Sequence, residues 1–142
     1  KPNGELMTTM DLLPTFAKLA GAEIPDDRVI DGKDIWPVLA GKEKSPHEAF
    51  FYYRDNELKA VRSGKWKLHL AVPQGRGEKG VPTSALFDLE ADIGETTNVV
   101  ADHPEVAERL RSYVKAFEEE LAHNSRPAAF VDDPKPLAKS IE

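Results

Sequence analysis

The chain has 142 residues, 19 basic and 25 acidic, for a net charge of −6 at neutral pH. That length suits one domain burying roughly 68% of the surface its unfolded form exposes, and the acidic balance, with no concentrated positive face, argues against a nucleic-acid backbone as main partner. With no cysteine in the chain, disulfides, thiolate metal sites and a cysteine nucleophile are excluded, and no run approaches the ~18 consecutive apolar residues of a membrane span.

The start, Lys1-Pro2-Asn3-Gly4, has neither an initiator Met nor an apolar signal core and reads as the beginning of a fragment. Residues 10 to 21 predict a short helix. Leu12, Leu13, Phe16, Leu19 and Ala20 form an apolar stripe, Pro14 is tolerable near the first turn, and Gly21 can end the helix. Residues 22 to 33 read as loop, with Pro25, Asp26-Asp27 and Asp31-Gly32 as turn chemistry. A one-turn helix carrying Ile35, Trp36, Val38 and Leu39 follows and closes at Gly41.

Phe50 to Tyr53 is an aromatic run apolar on both faces, expected as a central or covered strand. Leu58, Ala60 and Arg62 alternate with Lys59, Val61 and Ser63, and Trp66, Leu68 and Leu70 alternate with Lys65, Lys67 and His69. With Ser63-Gly64 as the turn, these predict a β-hairpin. Residues 72 to 84 make a long polar loop before a fourth strand at Ala85 to Leu89. The last helix, at about 103 to 123, is expected to be capped by Asp102, with Glu105 completing a box and Pro104 in the first turn. Its apolar face is Val106, Leu110, Tyr113, Val114, Phe117 and Leu121, with Glu105–Arg109 and Lys115–Glu119 pairs outside. From Asn124 on, three prolines among alanines and charges predict an extended tail.

Taken in order, several strings resemble the sulfatase family. Met10-Asp11-Leu12-Leu13-Pro14-Thr15, Leu19-Ala20-Gly21, and Asp31-Gly32 with Leu39 and Gly41 are similar to the end of an arylsulfatase catalytic domain. Phe50-Phe51-Tyr52, the run from Ala60 to His69, and Leu86-Phe87-Asp88-Leu89 with Asp92, Gly94, Glu95 and Asn98 follow as in that family's C-terminal domain. The resemblance spans about residues 8 to 121 and is nearest the arylsulfatase A and N-acetylgalactosamine-6-sulfatase branch. Ile93 stands where the family commonly has proline, read as a change in turn stiffness. The resemblance implies sulfate-ester hydrolysis by a formylglycine made in a Cys/Ser-x-Pro-x-Arg motif, beside calcium, both in an N-terminal domain. It also implies an exported enzyme, periplasmic, extracellular or lysosomal. Ser125-Arg126-Pro127-Ala128-Ala129 has Ala129 where that motif requires Arg, so no catalytic residue carries over.

Other sharp readings are weaker. Asp26, Asp27, Asp31 and Asp34 mimic part of a calcium loop, but Val29 and Val38 occupy ligand positions, so solvated turn residues are the expectation, with Arg28 pairing a neighbouring carboxylate. His47, His69, His103 and His123 lack the three- or four-residue spacing of a zinc pair. His69 with Lys65 and Lys67 is expected on a solvated face, a basic surface turned to the absent domain being the alternative. Loop 72 to 84 is the best site candidate, because the resemblance places such a loop near the substrate rim. Gln74, Arg76 and Lys79 could meet an anionic substrate, Arg76 by its planar fork, against ordinary loop solvation.

The expected fold is therefore α+β: a four-stranded antiparallel sheet packed on a long C-terminal helix, preceded by a helical segment from the end of an alkaline-phosphatase-like α/β domain. Residues 1–44 are the end of the catalytic domain and link, 45–123 the C-terminal domain, and 124–142 the tail. The expected function is a sulfatase C-terminal fragment, inactive alone, whose partner is the N-terminal catalytic domain and which engages neither nucleic acid nor membrane. The alternative is a stand-alone α+β protein-interaction module; a phosphatase or phosphoglycerate-mutase relative is a third, weaker reading. The first helix separates the first two. A complete module covers Leu12, Leu13, Phe16 and Leu19 with its own core, whereas a severed piece exposes them or buries them by dimerisation.

Overall fold

The computed structural model describes residues 3–27, 29–55, 57–70 and 84–124. A 3₁₀ turn at Thr9–Asp11 runs into helix α1 (Leu12–Ala20), followed by α2 (Trp36–Leu39), strands β1 (Phe50–Arg54), β2 (Glu57–Ser63), β3 (Trp66–His69) and β4 (Ala85–Asp88), and helix α3 (Pro104–Asn124). The strands pair antiparallel in sequence order. Arg28, Asn56 and the proposed tail beyond Asn124 lie outside the described residues, as does most of the 72 to 84 loop.

The alternation of β2 and β3 sets the core. Phe51, Val61, Leu68 and Leu86 are in register across all four strands, and α3 lays Val106, Ala107, Leu110 and Val114 onto Val61, Leu68 and Leu86 to make one buried cluster. Ser63 pairs with Trp66, so the hairpin turn is Gly64-Lys65, with Gly64 at φ +55 in the left-handed region that glycine enters at little cost. Leu58 leaves its expected face. A register shift opposite Tyr52 and Tyr53 turns it to pack against the core beside Val61.

Two expectations are corrected. Of the two placements expected for the Phe50–Tyr53 run, central or covered, the central one is overturned: it forms an edge strand, covered on the face that carries Phe51. Its apolarity is used instead by ring packing: Phe51 stacks on Phe117 with centroids 4.0 Å apart, and Phe50 meets Tyr52 edge-on at 4.9 Å. Asp102 does not cap α3, because Pro104 at the first helical position sets the start one residue later and the His103 carbonyl accepts from Val106 and Ala107. The apolar face of α3 is buried in its first half, but Leu121 is exposed, and Lys115 approaches Glu119 at 3.9 Å.

α1 forms where expected. Gly21 ends it at φ +69, and Ala22 N–H reaches back to the Ala17 carbonyl at 2.8 Å. The helix is turned with its apolar stripe outward: Leu13 is 54% and Phe16 60% exposed, whereas Asp11 and Thr15 are buried. The polar side holds the loop that follows. Thr15 Oγ1 accepts from Ile35 N–H at 3.0 Å. Gly32 lies so close to the start of the helix that a β-carbon there would sit 2.0 Å from the Met10 carbonyl oxygen, so that position admits only glycine.

Leu110→Ala should lower the unfolding free energy of the chain by about 2–5 kcal/mol, the usual cost of emptying a packed leucine site. In the monomeric chain, Phe16→Ser should change it by no more than about 0.5 kcal/mol, since its ring is mostly in solvent. Urea unfolding of the two variants checks both.

Candidate functional site

The loop expected to carry the rim residues Gln74, Arg76 and Lys79 lies outside the described residues, but both of its anchors are defined. It leaves the sheet after Leu70 and returns at Ser84. β3 feeds it, so the side chains at the end of β3 form its base. Alternation puts Leu68 into the core and turns Lys67 and His69 to the face away from α3.

That face is not the solvated surface expected for Lys65, Lys67 and His69. Glu95 bridges the two strand residues, with Oε1 accepting from Lys67 Nζ at 2.6 Å and Oε2 lying 2.5 Å from His69 Nε2. Lys67 Nζ lies 4.9 Å from the centroid of the Tyr52 ring, and His69 stands edge-on to Phe87 at 5.4 Å. Lys65 pairs instead with Asp88 at 2.6 Å. The correction has a physical origin: the turn after β4 folds back and supplies a carboxylate that alternation along β3 alone does not reveal.

The turn is built from the string that carried the resemblance. Asp92 accepts from the Thr96 and Thr97 amides at 2.7 and 2.8 Å, which holds its carboxyl below the ordinary carboxylate value. Asn98 Oδ1 accepts from Leu86 and Val100 N–H, tying the turn to β4. Between them Glu95 sits at φ +54, a left-handed conformation uncommon for a side-chain-bearing residue, and from there its carboxylate reaches β3. Ile93, which replaces the common proline, is 82% exposed. Burial pushes the Glu95 carboxyl up, but the bonds and charges of Lys67 and His69 outweigh it and hold the group below its ordinary value.

A second polar cluster escaped the sequence reading. Asp11, with no exposed surface, accepts from Thr8 N–H at 2.7 Å, from Lys33 N–H at 2.8 Å and from His47 Nε2 at 2.7 Å. Burial raises its carboxyl, and these donors with the His47 charge more than reverse that, leaving it below the ordinary value. The available signal was a pair of polar residues, Asp11 and Thr15, four apart on a helix otherwise apolar on its other side.

The remaining acidic and histidine residues do not converge. Asp34 is engaged by Lys18 Nζ at 2.7 Å and by Trp36 N–H at 3.0 Å, while Asp26 and Asp31 are exposed. His103 lies against Trp66 and 3.7 Å from Glu105, and His123 is in the last turn of α3. Among the described residues no group of three or more His, Asp or Glu side chains could hold a metal ion. The resemblance puts calcium and formylglycine in the N-terminal domain, and the motif that formylglycine requires is broken in this chain by Ala129. Among those residues no helix is long and apolar enough to cross a membrane.

This geometry agrees with the comparisons to known proteins. Residues 45–139 match the family described as the C-terminal region of aryl-sulfatase, and the chain belongs to that family. An arylsulfatase of Hemicentrotus pulcherrimus is 42% identical over 90 residues, covering 62% of this chain and 16% of the relative. Arylsulfatase A of Bos taurus is 38% identical over 134 residues, covering 80% and 26%. The crystal structure of Ps i-CgsB in complex with k-i-k-neocarrahexaose aligns with a TM-score of 0.65 at 27% identity, over 90% of this chain and 27% of that one. The chain thus spans between about a sixth and a quarter of the length of these relatives. It is a sulfatase C-terminal region with the expected α+β fold.

Because the folded Glu95 carboxyl ionises below its ordinary value of 4.5, its contribution to stability is present above that pH and is lost as pH falls through the folded value. Glu95→Gln should therefore lower the melting temperature near pH 6, and the gap to the parent chain should close as pH drops below about 4. Thermal melts across that range check the effect.

Proposed function

We propose that this chain serves a sulfuric ester hydrolase as a supporting element, buttressing the catalytic domain and shaping one wall of its substrate pocket. The observation that carries this reading is the orientation of α1. Leu12, Leu13, Phe16 and Leu19 point away from the chain's own core, while the polar side of the helix is satisfied internally by the loop at 32–35. A stripe of this kind needs a partner surface. The catalytic domain of the same enzyme supplies it, and this favours the sulfatase reading over a self-contained interaction module, which would cover the stripe itself.

In this reading the residues up to 44 end the catalytic domain, those from 45 to 123 form the C-terminal domain, and the loop after β3 reaches the pocket. Gln74, Arg76 and Lys79 meet the anionic substrate there, with Arg76 offering two parallel donors to a sulfate or carboxylate. The Glu95 bridge to Lys67 and His69 steadies the strand from which the loop departs. The chemistry, with its formylglycine and calcium, takes place on residues outside this chain, so the isolated 142 residues are inactive. Separated from the catalytic domain, the chain hides its apolar stripe by pairing with a second copy. The whole enzyme is exported, as the resemblance implies.

Kinetics on the whole enzyme test the reading. Arg76→Ala should raise KM for a sulfate ester, and unchanged affinity and turnover would remove the pocket-wall assignment. Sulfatase turnover by the purified chain alone would contradict the placement of the chemistry elsewhere.

A further inference from the structure

Asparagine occurs at positions 3, 56, 98 and 124, and only Asn3 is followed by glycine. Asn3 and Asn98 share one local geometry. Asn3 Oδ1 accepts from Glu5 N–H at 3.0 Å and Asn98 Oδ1 from Val100 N–H at 3.1 Å, so each side chain leans forward over the residue that follows it. Those following residues differ. Val99 carries a β-branched side chain, and its N–H is engaged by the Leu86 carbonyl at 2.9 Å. Gly4 is exposed, has no side chain to crowd its nitrogen, and its N–H has no partner among the described residues.

An asparagine side chain lying over an unengaged amide nitrogen holds an electrophile beside a nucleophile. The Gly4 nitrogen, on giving its proton to solvent base, can bond to Asn3 Cγ and close a succinimide ring. Glu5 N–H already points at Oδ1, the atom on which negative charge builds as that bond forms. The Cγ–Nδ2 bond then breaks, and Nδ2 leaves as ammonia. Water opens the ring: cleavage at Cγ gives aspartate, whereas cleavage at the backbone carbonyl of residue 3 gives isoaspartate, with the main chain routed through Cγ. The net change is amide plus water to carboxylate plus ammonium, with no change of oxidation state.

We propose that Asn3-Gly4 is a site of spontaneous deamidation, and that its isoaspartyl product frees residues 3 and 4 from α2 and β2. Two bonds depend on the unmodified pair. Asn3 Nδ2 donates to the Val38 carbonyl at 3.3 Å, and the Gly4 carbonyl accepts from Arg62 Nη2 at 2.9 Å. Deamidation replaces the first donor with an acceptor that faces an acceptor. The isoaspartyl link adds a backbone methylene ahead of the Gly4 carbonyl and moves it away from Arg62. Asn98, with its neighbouring nitrogen engaged, is the control within the same molecule.

Incubation of the folded 142-residue chain at mildly alkaline pH, followed by proteolysis and peptide mapping, tests the site. The peptide bearing residue 3 should become heavier by about 1 Da and separate into aspartyl and isoaspartyl forms, with ammonia released in step, while the Asn98 peptide stays unchanged. Gly4→Val should keep the fold, because nothing lies within 4 Å of a β-carbon there and its φ is not positive. It should lose the product over the same incubation. Absence of the product from the folded chain, including the case in which the urea-unfolded chain forms it, would overturn the site, and so would equal product from Gly4→Val. The isoaspartyl fraction, separated on an anion exchanger, should exchange the Glu5 amide proton faster than the parent chain. Equal exchange would overturn the release.

Discussion

A carboxylate with no exposed surface must collect donors or lose its charge, and Asp11 collects three from three separate stretches of chain. Thr8 comes from the turn before α1, Lys33 from the loop after it, and His47 from the passage into the sheet. This convergence draws the loop and the passage onto one side of α1. The opposite side, with Leu12, Leu13, Phe16 and Leu19, is left facing outward. That buried charge, together with Thr15, which holds Ile35, packs the loop at 32–35 and the passage at 45–48 against the start of α1.

The sheet is organised differently. Its core depends on apolar alternation and on α3, which presents Val106, Leu110 and Val114 at helical spacing. Its outer face depends on charge, with Glu95 held in a left-handed conformation to bridge Lys67 and His69. The two faces meet at β3, which is buried at Leu68 and polar at its neighbours. The same strand supplies a core residue, a charged surface and the root of the loop assigned to the pocket wall.

Much of this was legible in the chain. Period-two alternation marked β2 and β3, and the capping glycine marked the end of α1. The position of β1 was not legible, because an aromatic run that is apolar on both faces fits either a central strand or an edge strand packed on Phe117. The Glu95 bridge was hidden because it joins residues 26 and 28 positions apart through a turn whose docking is tertiary. The Asp11–His47 contact, 36 positions apart, leaves no local periodic trace. The stripe on α1 was legible as an apolar face, and the structure leaves it exposed, but periodicity names the face and not its occupant.

The account turns on what covers that stripe. Since the chain has no cysteine, Phe16→Cys places one thiol on the exposed face of α1, and its rate of alkylation reports solvent access. In the isolated chain labelling should be fast when the protein is dilute enough to be monomeric. In the whole enzyme, the proposed cover by a catalytic domain predicts that the same thiol reacts only on unfolding. Equal labelling rates in the isolated chain and the folded enzyme would contradict the account.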